Sequence, residues 1–294
     1  MFNNGSIMSL SNAKDGKLVI NRLDIDQETQ GLICATFSNA VAELLSGKEK
    51  IVFDGSYTPS EGEYLSIASY SIDIKIKEAV KNPLGLQAYQ KVEGEFPEVK
   101  ALFIGEYTES NNIEHYIIAF QKFKKDQYIS TSRINLFFEN NTFHEEKRFG
   151  ISISPFVDCV YNDGELQFSS FYYARQIFDL NEYYRLATDG EVQNFANCST
   201  LVIQDSELFK KQADSWVRRK VAMINDSKVL ENNTATKIKQ IGKKVGISIN
   251  ISDGKVVIPT DKAEMKKFLG FLDEEVYKGP FSDNSYMANS KRKI

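Results

Sequence analysis

The spacing of apolar residues near the N-terminus predicts a strand followed by a long helix. Residues 17–25 alternate between apolar and polar side chains, as in a half-buried strand. Residues 27–45 then carry apolar side chains at helical spacing, and Gly47 follows where a helix commonly ends. A short apolar run at 51–53 predicts another strand, which Asp54-Gly55 closes.

The segment 99–153 has the pattern of several short strands. Its apolar runs are rich in β-branched and aromatic residues, and polar turns separate them. The runs cover residues 101–107, 114–123, 134–138 and 148–153. We therefore expect the first part of the chain to form an antiparallel sheet with a few helices.

The clearest hairpin in the sequence lies at residues 156–168. Two short apolar runs flank Asp163-Gly164, and this dipeptide favours a tight hairpin turn because both residues readily adopt positive φ angles. A second hairpin is expected at 247–258, turned at Asp253-Gly254. Helical spacing predicts helices over the other C-terminal segments, which are 174–186, 205–224, 234–245 and 261–272.

These patterns predict an α+β protein with two domains. We expect a strand-rich α+β N-terminal domain over residues 1–154. We expect a basic α+β C-terminal domain, made of helices with short β-hairpins, over residues 155–294. A chain of 294 residues is long enough for two hydrophobic cores.

The composition indicates a folded protein without a membrane span. Apolar residues make up 42% of the chain, yet no apolar run reaches the ~18 residues of a transmembrane helix. The N-terminus lacks the basic start and apolar core of a signal peptide, so we expect a cytoplasmic protein. The 3 cysteines are far apart and the 2 histidines offer few zinc ligands, so we expect no metal and no cofactor.

The two parts of the chain carry net charges of opposite sign. Residues 1–204 hold 18 Lys and Arg against 28 Asp and Glu, a net charge of −10. Residues 205–294 hold 18 against 12, a net charge of +6, and the densest basic segment is 210–244 with 10 basic and 3 acidic residues. Such asymmetry points to a polyanionic partner for the C-terminal part.

The cations of this segment and of the C-terminal tail form the candidate DNA-binding site. Aligned lysines and arginines neutralise the phosphates of double-stranded DNA and release counterions. Phe209 and Trp216 are expected in the core, so contact with the phosphate backbone is favoured over base stacking. An ordinary solvated helix face remains the alternative interpretation. The candidate residues are Lys210, Lys211, Arg218, Arg219, Lys220, Lys237, Lys239, Lys243, Lys244, Lys291, Arg292 and Lys293.

Two acidic patterns resemble parts of a metal-dependent nuclease site. Such enzymes hold a divalent metal between an acidic residue and an E-x-K motif on neighbouring strands. One candidate combines Asp73 with Glu98-Val99-Lys100, and another combines Asp158 with Glu165-Leu166-Gln167 across the expected hairpin. Neither forms a clustered ligand set, and the sequence contains no other catalytic template, so we predict no catalytic residues.

The order of several segments in the C-terminal half is a further feature of the sequence. These are the hairpin segment 156–164, the segment 171–178, the basic segment 218–230 with Arg218-Arg219-Lys220-Val221, the segment 237–247 followed by Asp253-Gly254-Lys255, and the tail 286–294 with Ser290-Lys291-Arg292-Lys293-Ile294. In this order they resemble the B subunit, KwaB, of the Kiwa anti-phage defence system. The resemblance covers about half of the chain and depends on the order of the segments, since no single motif is diagnostic.

The resemblance implies a cytoplasmic protein that binds double-stranded DNA without sequence specificity and self-associates as a dimer or tetramer. It also implies a small membrane-protein partner of the KwaA type, which would hold the protein at the inner membrane face. No catalytic residue can be transferred from the family to this chain. Two alternatives stay open, a metal-dependent nuclease of the same pathway and a non-catalytic protein-interaction module.

Overall fold

The architecture comes from a computed structural model that describes residues 1–3, 5–55, 57–90, 99–129, 134–288 and 290–291. The helices are α1 (Gln27–Leu45), α2 (Ile74–Lys81), α3 (Phe171–Ile177), α4 (Asp189–Ala196), α5 (Ser206–Gln212), α6 (Ser215–Ser227), α7 (Val229–Asn232), α8 (Ala235–Lys244) and α9 (Lys262–Leu272), and Pro83–Gly85 and Lys125–Gln127 form 3₁₀ turns. The strands are β1 (Met8–Asn12), β2 (Leu18–Arg22), β3 (Glu49–Val52), β4 (Glu63–Ile67), β5 (Val99–Ser110), β6 (Ile113–Lys122), β7 (Tyr128–Ile129), β8 (Asn135–Glu139), β9 (Thr142–Glu146), β10 (Gly150–Ile151), β11 (Cys159–Asn162), β12 (Glu165–Phe168), β13 (Leu201–Ile203), β14 (Ile251–Ser252), β15 (Lys255–Ile258), β16 (Val276–Lys278) and β17 (Ser285–Met287). This mixture confirms the α+β class expected from the sequence.

The chain forms two compact units. Unit 1 comprises Met1–Phe53 and Pro59–Asp179, and unit 2 comprises Asp54–Thr58 and Leu180–Ile294. This division differs from the expected boundary at 154/155, because β11 pairs with β6 and β12 pairs with β4 inside unit 1. The hairpin that the sequence analysis assigned to the C-terminal domain therefore belongs to the sheet of unit 1.

Unit 1 contains an eight-stranded sheet with the order β2-β1-β5-β6-β11-β12-β4-β3. Neighbouring strands pair antiparallel, as expected, except that β3 and β4 at one edge are parallel. The expected strand at 134–138 corresponds to β8, which forms a separate two-stranded sheet with β9.

Helices cover both faces of the unit 1 sheet. Phe37 of α1 packs with Ile104 and Val160 in one buried apolar cluster. On the opposite face, α2 lies so close to Gly105 of β5 that a Cβ atom there would be 2.4 Å from Cγ2 of Val80. Glycine at this position therefore permits the close contact between helix and sheet.

Unit 2 is built from helices around a small sheet with the order β13-β15-β14. β13 and β15 are parallel, and β14 and β15 form the hairpin predicted around Asp253-Gly254. Val217 and Val221 of α6 lie in the same core cluster as Leu269 of α9 and Val256 of β15. The core of unit 2 thus lies between α6, α9 and the sheet.

The expected helix over 205–224 is divided in two. α5 ends at Gln212, and α6 begins after Asp214, whose carboxylate accepts a hydrogen bond from the Val217 amide at 3.0 Å. A side-chain cap inside a continuous apolar pattern starts a new helix because it satisfies a free amide of the first turn. Among the described residues, no helix is long and apolar enough to cross a bilayer.

Candidate nucleic-acid interface

α8 is an amphipathic helix fixed to unit 2 by one face. The Thr234 hydroxyl accepts a hydrogen bond from the Lys237 amide at 3.3 Å and caps the helix. Ala235, Ile238 and Gly242 are buried. A Cβ atom on Gly242 would be 2.5 Å from Cδ1 of Ile249, so the backbone of the helix packs directly against the Ile249 side chain.

The C-terminal end of α8 is closed by a Schellman motif. Gly246 has a φ of 78°, and the Ile247 amide donates to the Gly242 carbonyl at 2.8 Å. This 6→1 bond together with a left-handed glycine ends the helix sharply. The apolar positions 247 and 249 are buried directly after it, which anchors the C-terminal end of α8.

Four candidate cations lie exposed on α8, and no ion pair in the described part of the chain involves them. The helical repeat places Lys237 and Lys244 on one side of the helix and Lys239 and Lys243 on its flank. Like charges four residues apart repel each other by a few tenths of a kcal/mol. An approaching polyanion would relieve this repulsion. Lys243 and Lys244 also lie in the last turn, where positive charges interact favourably with the helix dipole.

Arg218, in contrast, is bound within unit 2. Its guanidinium donates to the carbonyl oxygens of Ala213 and Ala187 at 3.1 Å each, and Nη2 lies 2.5 Å from Asp189 Oδ1. These bonds connect α6 with the start of α4. The side chain therefore has a structural role and is not available to a phosphate backbone.

Lys220 is buried between two carboxylates. Its side chain is 6% exposed, and Nζ lies 2.6 Å from Asp273 Oδ2 and also contacts Glu275 Oε1. The tail residue Lys291 contacts the other carboxylate oxygen of Asp273, with 2.9 Å between Nζ and Oδ1. This network joins α6 to the segments that follow α9, so neither lysine faces solvent as a free cation.

Arg219 is buried as well, with 8% of the residue exposed. Its guanidinium lies over the ring of Tyr184, 4.0 Å from the ring centroid. The run Arg218-Arg219-Lys220 therefore does not form the basic helix face that the sequence analysis expected. The reason is that partners distant in the sequence surround all three side chains.

The remaining basic candidates have different surroundings. Lys210 pairs with Glu207 one turn earlier in α5, with 2.7 Å between Nζ and Oε1, and Lys211 is exposed. Arg292 and Lys293 lie outside the described residues. The structure thus places four of the candidate lysines together on α8. The other described candidates have different surroundings and do not belong to this group.

The second acidic pair of the sequence analysis does not form one site. In the β11–β12 register Cys159 is opposite Phe168 and Asn162 is opposite Glu165, so Asp158 and Glu165 lie at opposite ends of the hairpin, about 13 Å apart along the strands. Asp158 accepts a hydrogen bond from the Lys122 amide at 2.6 Å, and burial raises the pKa of its carboxyl.

Glu165 is occupied by its neighbours on the sheet. Its carboxylate contacts the Ser66 hydroxyl and lies 3.1 Å from Lys50 Nζ. Partial burial acts to raise the pKa of Glu165, but these hydrogen bonds outweigh it and leave the pKa below its usual value. Glu165 therefore serves the packing of β12 against β4 and β3.

The first acidic pair offers no metal site among the described residues. Asp73 caps α2, accepting a hydrogen bond from the Lys75 amide at 2.8 Å, and Glu98 lies outside the described residues. Within the described ranges, no group of three or more His, Cys, Asp or Glu side chains could hold a metal ion.

A family model described as Kiwa protein KwaB-like matches residues 108–281. The chain belongs to the KwaB-like family of Kiwa proteins. The KwaB-like region starts upstream of residue 156, where the sequence resemblance was placed, and includes α8 but not the tail 286–294. No curated protein and no solved structure matches the chain.

Proposed function

We propose that this KwaB-like protein binds double-stranded DNA without sequence specificity in anti-phage defence, through phosphate contacts made by α8. The observation that supports the proposal is the set of four exposed lysines without carboxylate partners on a helix anchored by its other face. Lysine is a flexible point charge, so it suits phosphate contact better than base readout. Lys211, Arg292 and Lys293 would extend the same kind of contact.

The proposal has a quantitative consequence for salt dependence. Each neutralised phosphate contributes about −0.9 to the slope of log K against log salt concentration. Four contacts from α8 give a slope of about −3.6, so affinity falls roughly 100-fold between 50 and 200 mM salt. Binding that depends on phosphates alone is equal for duplexes of different sequence.

The test compares two charge-matched double variants by fluorescence anisotropy on a labelled duplex. Lys239→Gln with Lys243→Gln should reduce the magnitude of the salt slope by about 1.8 and weaken binding to all sequences alike. Lys14→Gln with Lys125→Gln removes two exposed charges from unit 1 and should leave the slope unchanged. Equal salt slopes in the two variants and the wild type would show that α8 does not contact the DNA.

The same assay with Mg²⁺ separates the alternatives. A shifted but intact duplex supports the binder. Metal-dependent loss of duplex that disappears after Asp158→Asn with Glu165→Gln would support the nuclease, whereas neither a shift nor cleavage would favour the protein-interaction module.

Membership in the KwaB-like family implies a Kiwa system with partner proteins. We propose that the partner is a small membrane protein of the KwaA type, which holds this cytoplasmic chain at the inner membrane face. Co-purification of the two proteins in detergent would test this pairing, and the absence of a complex would count against it.

We also propose a homo-oligomer, a dimer or tetramer, formed through the hairpin of β8 and β9. Leu136, Phe138 and Phe143 lie on one face of this hairpin and are 59%, 62% and 64% exposed. The rings of Phe138 and Phe143 are directly opposite, with centroids 5.0 Å apart. A two-stranded hairpin with an exposed apolar face is marginally stable in water and is a typical contact surface.

The charge pattern favours pairing of β8 with β8 of a second copy. Antiparallel pairing centred on Phe137 brings Leu136 opposite Phe138 of the second copy and Asn135 opposite Glu139. The corresponding pairing of β9, centred on His144, would bring Phe143 opposite Glu145. The β8 edge therefore joins apolar to apolar residues without opposing like charges.

A further inference from the structure

Arg219 differs from the two basic residues beside it because its guanidinium has no anionic partner in the described part of the chain. Arg218 contacts Asp189 and Lys220 contacts Asp273, but no ion pair in the described ranges involves Arg219. Its Nη2 atom is fully buried and has no hydrogen-bond partner among the residues that the structure describes. The residue as a whole is 8% exposed.

The buried group of Arg219 is a guanidinium, which carries a delocalised positive charge and five N–H donors but no acceptor. A buried charged donor without a partner is costly, since it loses its water and gains no compensating bond. The stacking on Tyr184 offsets only part of this cost, because it uses the face of the guanidinium and supplies no in-plane acceptor for Nη2.

Gly55 lies at the edge of the same guanidinium. Its φ is +79°, and a Cβ atom there would be 2.9 Å from Nη2 and 3.3 Å from Nη1 of Arg219. The backbone thus reaches the charged group at a position that admits no side chain. Glycine with positive φ is characteristic of places where the backbone closely approaches a ligand or a charged group.

We propose that Arg219 binds a phosphoryl group in the niche between Gly55 and Tyr184, with Gly55 moving aside as the group enters. The planar fork of the guanidinium matches two oxygens of a phosphate, and stacking on Tyr184 holds the fork in a fixed plane. The bound dianion supplies the missing partner for Nη2. This site is separate in chemistry from α8, which faces a backbone of many phosphates, and it does not depend on the proposed DNA contact.

The test uses inorganic phosphate and thermal unfolding of the full chain. Saturating phosphate, compared with chloride at equal ionic strength, should raise the Tm of the wild type by about 5 °C or more. Arg219→Met should have a higher Tm than the wild type in chloride, because it removes an uncompensated buried charge, and should lose the specific response to phosphate. Lys255→Met removes an exposed cation from unit 2 and should keep the wild-type response.

Equal phosphate responses in the wild type and Arg219→Met would overturn the proposal, since general salt effects act on both. A direct measurement covers the case in which Arg219→Met does not fold. Titration followed by ³¹P NMR should show broadening of the phosphate signal by the wild type and none by Arg219→Lys, which keeps the charge but loses the fork. Equal broadening by both would contradict the assignment.

Competition in the NMR titration identifies the source of the phosphoryl group. The competitors are ATP and a short DNA strand with or without a 5′-phosphate. Preferential displacement by the phosphorylated strand would assign the niche to DNA ends, and preferential displacement by ATP would assign it to a nucleotide. Failure of DNA binding at α8 would leave this result unaffected, because the probe is inorganic phosphate.

Discussion

Nζ of Lys220 lies 2.6 Å from Oδ2 of Asp273, and both side chains are 6% exposed. The two residues are 53 positions apart in the sequence. Glu275 contacts the same amino group, so one buried cation is shared by two carboxylates. A pair of this kind links α6 to the end of α9 and is sensitive to the loss of either partner.

Replacement of Lys220 by Met should destabilise the protein by about 3–5 kcal/mol, because two buried carboxylates lose their shared cation. Urea unfolding measures the change. Lys262→Met is the matched control, since Lys262 pairs with Asp214 at the surface with its side chain 50% exposed. The control substitution should lower the free energy of unfolding by about 1 kcal/mol or less. Similar losses in the two variants would contradict a structural role for the buried network.

Replacement of Arg218, Arg219 and Lys220 together by Glu should unfold unit 2 and not simply lower its affinity for DNA. Each substitution places a carboxylate where a guanidinium or ammonium is packed, and two of the positions are buried. Circular dichroism and urea unfolding would detect the loss. A folded triple variant with wild-type stability and a reduced salt slope would instead support direct DNA contacts by these residues.

Asp214 should contribute stability that is lost in acid. Partial burial acts to raise its pKa, but the Val217 amide, Lys262 and Lys266 outweigh it and lower the pKa from 3.8 to about 2. A lowered pKa stabilises the fold above pH 3.8, and this contribution is lost as the pH falls toward 2. Since the side chain is 40% exposed, solvent screens the effect and keeps it small.

Two substitutions separate the cap of Asp214 from its charge. Asp214→Asn keeps an acceptor for the Val217 amide. It should lose mainly the contribution to stability that depends on the carboxylate charge and disappears in acid. Asp214→Ala loses the cap as well and should cost about 1 kcal/mol at neutral pH. Urea unfolding at several pH values measures both, and identical pH profiles for the wild type and Asp214→Asn would exclude the charge contribution.

Gly242→Ala should destabilise unit 2 by about 1–3 kcal/mol, because the new methyl group would overlap Ile249 and approach the Ile247 carbonyl. Gly31→Ala in α1 is the control, since no atom lies within 4 Å of its Cβ position. The control should stabilise the protein by up to about 1 kcal/mol through helix propensity. Thermal unfolding compares them, and a stabilising Gly242→Ala would show that α8 can move away from Ile249.

The hairpin of β8 and β9 should control self-association. Leu136→Thr with Phe138→Thr keeps the strand propensity and removes the apolar contact, so light scattering should change from an oligomer to the 33.4 kDa monomer. Ile113→Thr removes a side chain that is exposed to the same extent, 59%, from β6 and should leave the mass unchanged. A wild type that is already monomeric at micromolar concentration would exclude the proposed oligomer.

Short-range patterns in the sequence determined many of the elements. The helix predicted at 27–45 is α1, and the turns at Asp163-Gly164 and Asp253-Gly254 connect β11 to β12 and β14 to β15. The helix predicted at 261–272 is α9, with Asp261 as its N-cap. Helical spacing, caps and hairpin turns act between residues only a few positions apart, so one chain is sufficient to find them.

The tertiary structure decided which charges are free. Arg218, Arg219 and Lys220 are three consecutive basic residues, yet they are bound or buried, whereas the scattered lysines of α8 are exposed. The helical repeat sends consecutive side chains in different directions, and the carboxylates that bind Lys220 lie more than 50 residues away. Long-range pairing also brought β11 and β12 into the sheet of unit 1. Burial depends on these distant partners, and a local pattern does not contain them.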